Sequence, residues 1–260
     1  EIKPLIESLF GKWKKGKELN YKLPQTNNLD NIEINFVDMP NAVQSEIYVG
    51  NLMDISMTNP DFFALKLGNQ ILGGGASGRL FTNLREDKGF TYGSYSSAST
   101  SRYTGSFTAS ASVRNEVTDS AVNEIIKEIK LITEEGVTEE ELSSAKEKYV
   151  GNFIMSTEQP STIAGFATNI DKFNLPSDFY ETYLENFQSV TADDVKRVLN
   201  KYLLGDNLRV MVVGKGQDIL TSLEEMPYDI MYFDKNGEPT TKPDFSTPTG
   251  ITVETVLNKY

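Results

Sequence analysis

The stretch Ile71-Leu-Gly-Gly-Gly-Ala-Ser-Gly-Arg-Leu80, running on into Asn83-Leu-Arg-Glu-Asp-Lys-Gly-Phe-Thr-Tyr-Gly93, reads as helix end, glycine loop, short helix, tight turn and strand start. The helix before the glycines has its own start signal. Asn59 is a good N-cap, Pro60 suits the first helical position and Asp61 complements the positive helix end. Apolar residues then recur at Phe62, Phe63, Leu65, Leu67, Ile71 and Leu72, and Gly73, Gly74 and Gly75 stop the helix. Ser77 is expected to cap a second helix with Leu80, Phe81 and Leu84 as its buried stripe, and Gly89 to end it in the left-handed conformation. Arg85, four residues after Phe81, borders the apolar face, and Tyr92 falls at the mouth of the following strand. A guanidinium at a helix end and a phenol at a strand start can address one space. Together they offer donors to a carbonyl or oxyanion.

The glycines also spell two nucleotide-site patterns, and neither has its structural context. Gly73-x-Gly75-x-x-Gly78 matches the dinucleotide fingerprint but follows a helix where a strand is needed. Gly73 to Arg79 approximates a phosphate loop, yet Arg79-Leu80 stands where Lys-Ser/Thr must reach phosphate and magnesium. A hinge with close backbone packing is the preferred reading of Gly73, Gly74, Gly75 and Gly78.

Working outward, Ile32 to Val37 and Val43 to Val49 alternate as strands, with Ile47 and Val49 facing inward. Phe90 to Ser99 and Tyr103 to Val113 give two more. Arg114 to Glu134 reads as a helix closed by Gly136, and Thr138-Glu-Glu-Glu141 as a capping box opening another. Pro160 starts a further helix, Ser177 and Thr191 are expected to cap two more, and Leu208 to Val213 is expected as the final strand. The acidic residues Glu134, Glu135 and Glu139 to Glu141 are expected on a solvated face. Residues 1–30 read as the end of an amphipathic helix, a basic loop around Trp13, which is expected to pack on something missing or nearby, and a linker from Tyr21 to Asp30. Residues 31–225 form the domain. Residues 226–260 read as a surface tail and the start of a new helix capped by Thr252. A chain that starts without methionine and in mid-helix is expected to be a fragment of a longer polypeptide.

Composition narrows the chemistry. The formal charge of −12 argues against nucleic acid as a partner. There is no cysteine and no histidine, so neither an ordinary zinc site nor a histidine-based nucleophile triad can be built from these residues alone. No apolar run reaches the ~18 to 20 residues that span a bilayer, and the N-terminus lacks the parts of a signal peptide.

The segments Val43-Gln-Ser-Glu-Ile-Tyr-Val-Gly50, Asn69 to Gly75, Gly78 to Gly93 and Val137-Thr-Glu-Glu-Glu-Leu142 resemble the C-terminal half of the insulinase, pitrilysin and mitochondrial-processing-peptidase family. The resemblance runs from about residue 31 to 225. It implies an α/β (α+β) fold: a mixed, largely antiparallel sheet covered by helices, one half of a metallopeptidase clam. In that family one half carries zinc through an inverted His-x-x-Glu-His motif, and the other is silent by itself. This chain resembles the silent half. It would bind no cofactor of its own, with zinc in the partner half, in cis or in trans, and a peptide as substrate, bound extended along a sheet edge. The setting Leu-Arg-x-x-x-Gly-x-x-Tyr implies that Arg85 and Tyr92 bind that substrate. The tail resembles the linker of long bacterial members of the family, which implies a periplasmic or cell-envelope location. The alternative is a non-proteolytic scaffold or peptide-binding module of the same fold.

Overall fold

A computed structural model of the chain describes residues 2–17, 26–101 and 104–246. Six strands form one sheet in the order β3-β4-β2-β5-β1-β6: β1 Glu33–Asp38, β2 Gln44–Met53, β3 Thr91–Ser99, β4 Gly105–Arg114, β5 Arg209–Gly214 and β6 Asp229–Phe233. The pairs β3–β4, β4–β2 and β2–β5 are antiparallel, and β5–β1 and β1–β6 are parallel. The sheet is therefore mixed and mostly antiparallel, as the sequence implies.

Period-two alternation decides which face is buried. Ile34, Phe36, Ile47, Val49, Phe107, Ala109, Val210 and Val212 all point to one side and are almost fully buried. That side meets α2 (Phe62–Gly73), α4 (Thr118–Glu135), α8 (Ala192–Tyr202) and α9 (Gly216–Glu224), whose Leu65, Leu72, Ile125, Ile129, Val195, Leu199 and Ile219 complete a single core. Each such side chain contributes roughly 1.5–3 kcal/mol on burial. The opposite face is partly exposed, with Asn35 and Val37 buried on it at β1. There Tyr95, Ser110, Tyr48, Met211, Asn35 and Met231 follow one another in register across the sheet. Tyr48, Tyr95 and Met231 are exposed.

Beside the sheet, α5 (Glu139–Thr157), which adds Leu142 and Ala145 to the core, and α6 (Pro160–Phe173) form a hairpin. Stacked rings hold it to α7 (Tyr183–Ser189): Phe153 lies at 5.6 Å from Phe166 and 5.0 Å from Tyr183, and Tyr149 at 4.5 Å from Phe187. The expected capping box forms, Thr138 with Glu141 at the start of α5, and Thr191 caps α8 as expected, there in a box with Asp194.

Several expectations fail for identifiable reasons. Ser177 caps no helix: residues 177–182 form turns, and α7 begins only at Tyr183. The expected last strand is followed by α9 and then β6, which adds to β1 from within the segment read as a tail, because its Asp, Tyr and Met residues hide an edge strand's half-exposed alternation. Residues 2–10 do form a helix, α1 (Ile2–Phe10), but all its side chains are exposed. Trp13 is 77% exposed, with its ring centroid 5.0 Å from that of Phe10 in a T-shaped contact, so a nearby partner does not cover it among the described residues. The strand start at Tyr103, the first half of the Tyr21–Asp30 linker and the helix start at Thr252 lie outside the described residues.

Asn59 does accept a hydrogen bond from the Asp61 backbone N–H (2.8 Å), but α2 proper starts at Phe62. Asp61 has a larger part than helix-end charge. Its carboxylate is 7% exposed and accepts from Arg197 Nη1 (2.8 Å), Lys201 Nζ (2.9 Å) and the Tyr202 hydroxyl (3.2 Å), tying α2 to α8. Burial pushes this carboxyl up, but the hydrogen bonds from Lys201 and Arg197 outweigh it and hold it below the usual range. A group so lowered contributes stability that is complete above its unfolded value of about 3.9 and is lost as pH falls through the lower folded value. Urea unfolding between pH 5 and pH 2 should therefore show a smaller loss of stability for Asp61→Asn than for the parent chain. Equal losses would remove Asp61 from the acid response.

Candidate functional site

The site is assembled on the far side of α2. Beyond Gly73 the chain loops and re-enters helix as α3 (Arg79–Phe81), which continues without a break as a π-helix over Thr82–Asp87. Gly78, not Ser77, occupies the N-cap, and no side chain caps this helix. None of Gly73, Gly74, Gly75 and Gly78 has a positive φ. Gly73 is needed for space: a Cβ there would sit 2.5 Å from the backbone nitrogen of Ser96 and 2.9 Å from Leu80 Cδ1. The close-packing reading of the loop is the one the geometry supports.

That close approach also covers a sheet edge. β3 has no strand neighbour on its outer side, and its carbonyls at Ser96 and Ala98 accept from Asn69 Nδ2 (3.3 Å) and Lys66 Nζ (2.7 Å) of α2. Side chains thus take the places a further strand would use. Addition of a peptide strand along β3 is blocked there, and the unblocked length is the Thr91–Tyr95 end, where the register with β4 shifts between Thr91 and Ser94.

Arg85 and Tyr92 lie on either side of the turn at that end. Lys88 N–H donates to Asn83 O (3.0 Å) and Phe90 N–H to Leu84 O (2.9 Å), Gly89 adopts φ +63°, and Arg114 Nη1 donates to the Gly89 carbonyl (3.0 Å). A left-handed residue here is natural for glycine. Leu80 and Leu84 are fully buried, and Arg85 leaves the core beside them with its guanidinium 4.8 Å from the Phe81 ring centroid. Phe81 also meets the Tyr95 ring at 5.8 Å. Tyr92 is 87% exposed, within the register shift. No carboxylate pairs with Arg85, and no hydrogen bond engages the Tyr92 hydroxyl, among the described residues.

Residues that sequence reading left out hold the Arg85 helix in place. Arg79 forks onto Glu141 (Nε–Oε1 2.7 Å, Nη2–Oε2 2.8 Å) and onto the Gly136 carbonyl (3.0 Å), so Glu141 is not on a solvated face. Burial raises the Glu141 carboxyl, and the bonds from Arg79 and Thr138 together with the Arg79 charge more than offset it, leaving it lowered; the Glu141 bond raises the Arg79 guanidinium. Asn83 Nδ2 donates to both Glu124 (2.9 Å) and Glu128 (2.7 Å) of α4. The i, i+4 spacing of Arg79 and Asn83 was the available signal. No group of three His, Cys, Asp or Glu able to hold a metal ion occurs among the described residues.

Residues 1–149 match the family model described as the peptidase M16 inactive domain. The chain belongs to the peptidase M16 family. A protein of Streptomyces coelicolor named as an uncharacterized zinc protease is 28% identical over 182 residues, 67% of this chain and 38% of that protein. The peptidase M16 inactive domain from Pseudomonas fluorescens superposes with TM-score 0.70 at 30% identity, over 77% of this chain and 47% of that one. The periplasmic protease PqqL from Escherichia coli superposes with TM-score 0.64 at 17% identity, over 81% of this chain and 23% of PqqL. This M16 chain thus spans less than half of each of these proteins. No helix of its described residues is long and apolar enough to cross a membrane.

Proposed function

We propose that this M16 domain is the substrate-binding half of a zinc metallopeptidase, and that Arg85 and Tyr92 hold the carbonyl of the peptide bond cut at a zinc site on another half. One observation carries the reading. Arg79, Arg197 and Arg209 each sit on a carboxylate, whereas Arg85 lies on an aromatic face with its donors unspent, at the same turn as an exposed phenol. Five guanidinium N–H groups and one O–H are then available to an oxygen whose charge grows during reaction. The cation–aromatic contact orients the guanidinium without consuming its hydrogen bonds.

This chain's own residues do not fit zinc: it has no histidine or cysteine, and no acidic cluster among the described residues replaces them. The metal, with its nucleophile chemistry, is assigned to the other half, in the same polypeptide or in a partner. What this chain does is bind the peptide, orient its carbonyl and supply donors to it. A periplasmic or cell-envelope location of the parent protein goes with this reading, and cell fractionation tests it.

The experiment is zinc-dependent peptide cleavage by the full-length protein, or by this chain combined with a zinc-binding half. Tyr92→Phe is expected to lower kcat on the order of 10²-fold, the effect of removing one oxyanion donor, with the thermal midpoint unchanged because the hydroxyl bonds to nothing among the described residues. Unchanged kcat would return Tyr92 to a surface role. Absence of zinc-dependent cleavage in every combination would favour the non-proteolytic scaffold.

A further inference from the structure

The helix over residues 79–87 carries three stripes with three different tasks. Leu80 and Leu84 are anchored in the core, Phe81 and Arg85 face the candidate site, and Arg79 and Asn83 reach the other way, onto α5 and α4. A core stripe alone resists pulling the helix away from the sheet, but two leucines constrain its rotation about its own axis only weakly. The polar stripe supplies that constraint through directional bonds: a bidentate fork from Arg79 to Glu141 with a third bond to the Gly136 carbonyl, and one amide shared by Glu124 and Glu128 from Asn83. Glu141 is itself fixed, because its Oε2 also accepts from the Thr138 backbone N–H (2.8 Å) in the capping box of α5. The π-helical turn begins within this stripe, at Thr82, and ends beyond Arg85.

We infer that Arg79 and Asn83 are positioning residues that fix the rotation of the Arg85 helix and thereby aim the Arg85 guanidinium at the bound peptide; the catalytic part of this inference rests on the function proposed above. With side chains roughly 5–6 Å from a helix axis, a rotation of 10–20° displaces the guanidinium by about 1–2 Å. Misplacement by about 1 Å is enough to cost on the order of 10² in rate.

The test uses the full-length protein with two independent readouts. In peptide cleavage, Arg79→Met and Asn83→Ala are each expected to lower kcat by about 10–100-fold with KM changed less than threefold. Arg79→Lys should not restore kcat, since an ammonium cannot fork onto Glu141 and the carbonyl together. Adding Arg79→Met to Arg85→Ala should slow cleavage no further, because Arg79 acts through Arg85. In the second readout, protein labelled with carbon-13 tyrosine gives a Tyr95 ring resonance on β3 displaced by the ring current of Phe81, 5.8 Å away on the Arg85 helix, and identified by its absence from Tyr95→Phe. That displacement should shrink in Arg79→Met and in Asn83→Ala while the thermal midpoint shows both folded. An unmoved resonance in the folded variants, or a full additional loss of kcat on the Arg85→Ala background, overturns the inference. If Arg85→Ala itself leaves cleavage unchanged, the proposed role of Arg85 fails, and the resonance still decides whether the clamp fixes the rotation of its helix.

Discussion

Arg85→Ala in the full-length protein is expected to lower kcat for the proposed zinc-dependent peptide cleavage by about 10²–10³-fold and to leave the thermal midpoint within a few degrees of the parent value. The argument for a large catalytic effect and a small structural one comes from the same geometry. The guanidinium is exposed, meets no carboxylate among the described residues and contacts the fold through the Phe81 ring, an interaction worth roughly 0.5–1 kcal/mol at such sites. Removing it therefore costs little stability. In the proposed reacting complex the same group would offer paired N–H donors to an oxygen that gains charge, and a donor lost there is felt mainly in kcat. Steady-state kinetics beside a thermal melt separates the two. A rise in KM with kcat untouched would make Arg85 a ground-state contact. No change in either would make it a surface arginine resting on an aromatic ring.

Gly73→Val destabilises the chain by about 3 kcal/mol or more, the upper part of what overpacking costs. A Cβ at this position would approach the Ser96 backbone nitrogen to 2.5 Å and the Ser96 Oγ to 2.7 Å. Neither backbone can yield cheaply. Gly73 is the last residue of α2, and Ser96 is held on one side by the β3–β4 ladder and on the other by the bond from Asn69 to its carbonyl. Separating them would also strain the bond from Lys66 to the Ala98 carbonyl. The urea midpoint of the chain measures the loss. A midpoint unchanged by the substitution would show that α2 can shift off the strand at no cost, and that the glycine is present for another reason.

Much of this was legible in the chain. Period-two alternation identified β1, β2 and β4, and in β2 the inward side of Ile47 and Val49, because burial on one face leaves that signature locally, whereas β1 buries Asn35 and Val37 as well. Thr138 and Thr191 announced their helices because capping is a contact between residues three apart. Ser77 and Ser177 carried the same local signal and cap nothing. At the first, Gly78 takes the N-cap after the close packing of the glycine loop; at the second, the chain turns until Tyr183 can join the aromatic stack. β6 was missed because a short edge strand with one solvated side keeps few apolar residues.

The sequence by itself determined which residue types were available: no histidine and no cysteine, and an arginine and a tyrosine spaced across a glycine turn. It also determined the strands and helices whose signals lie within a few neighbouring residues. Only the tertiary structure decided that Arg85 lacks a carboxylate while Arg79, six residues earlier, forks onto Glu141, that Asp61 locks α2 to α8, and that α2 covers the β3 edge at Ser96 and Ala98. These contacts join residues 27 to 141 positions apart. A hydrogen bond depends on distances of a few tenths of an ångström, and only the packed core sets those between remote parts of a chain.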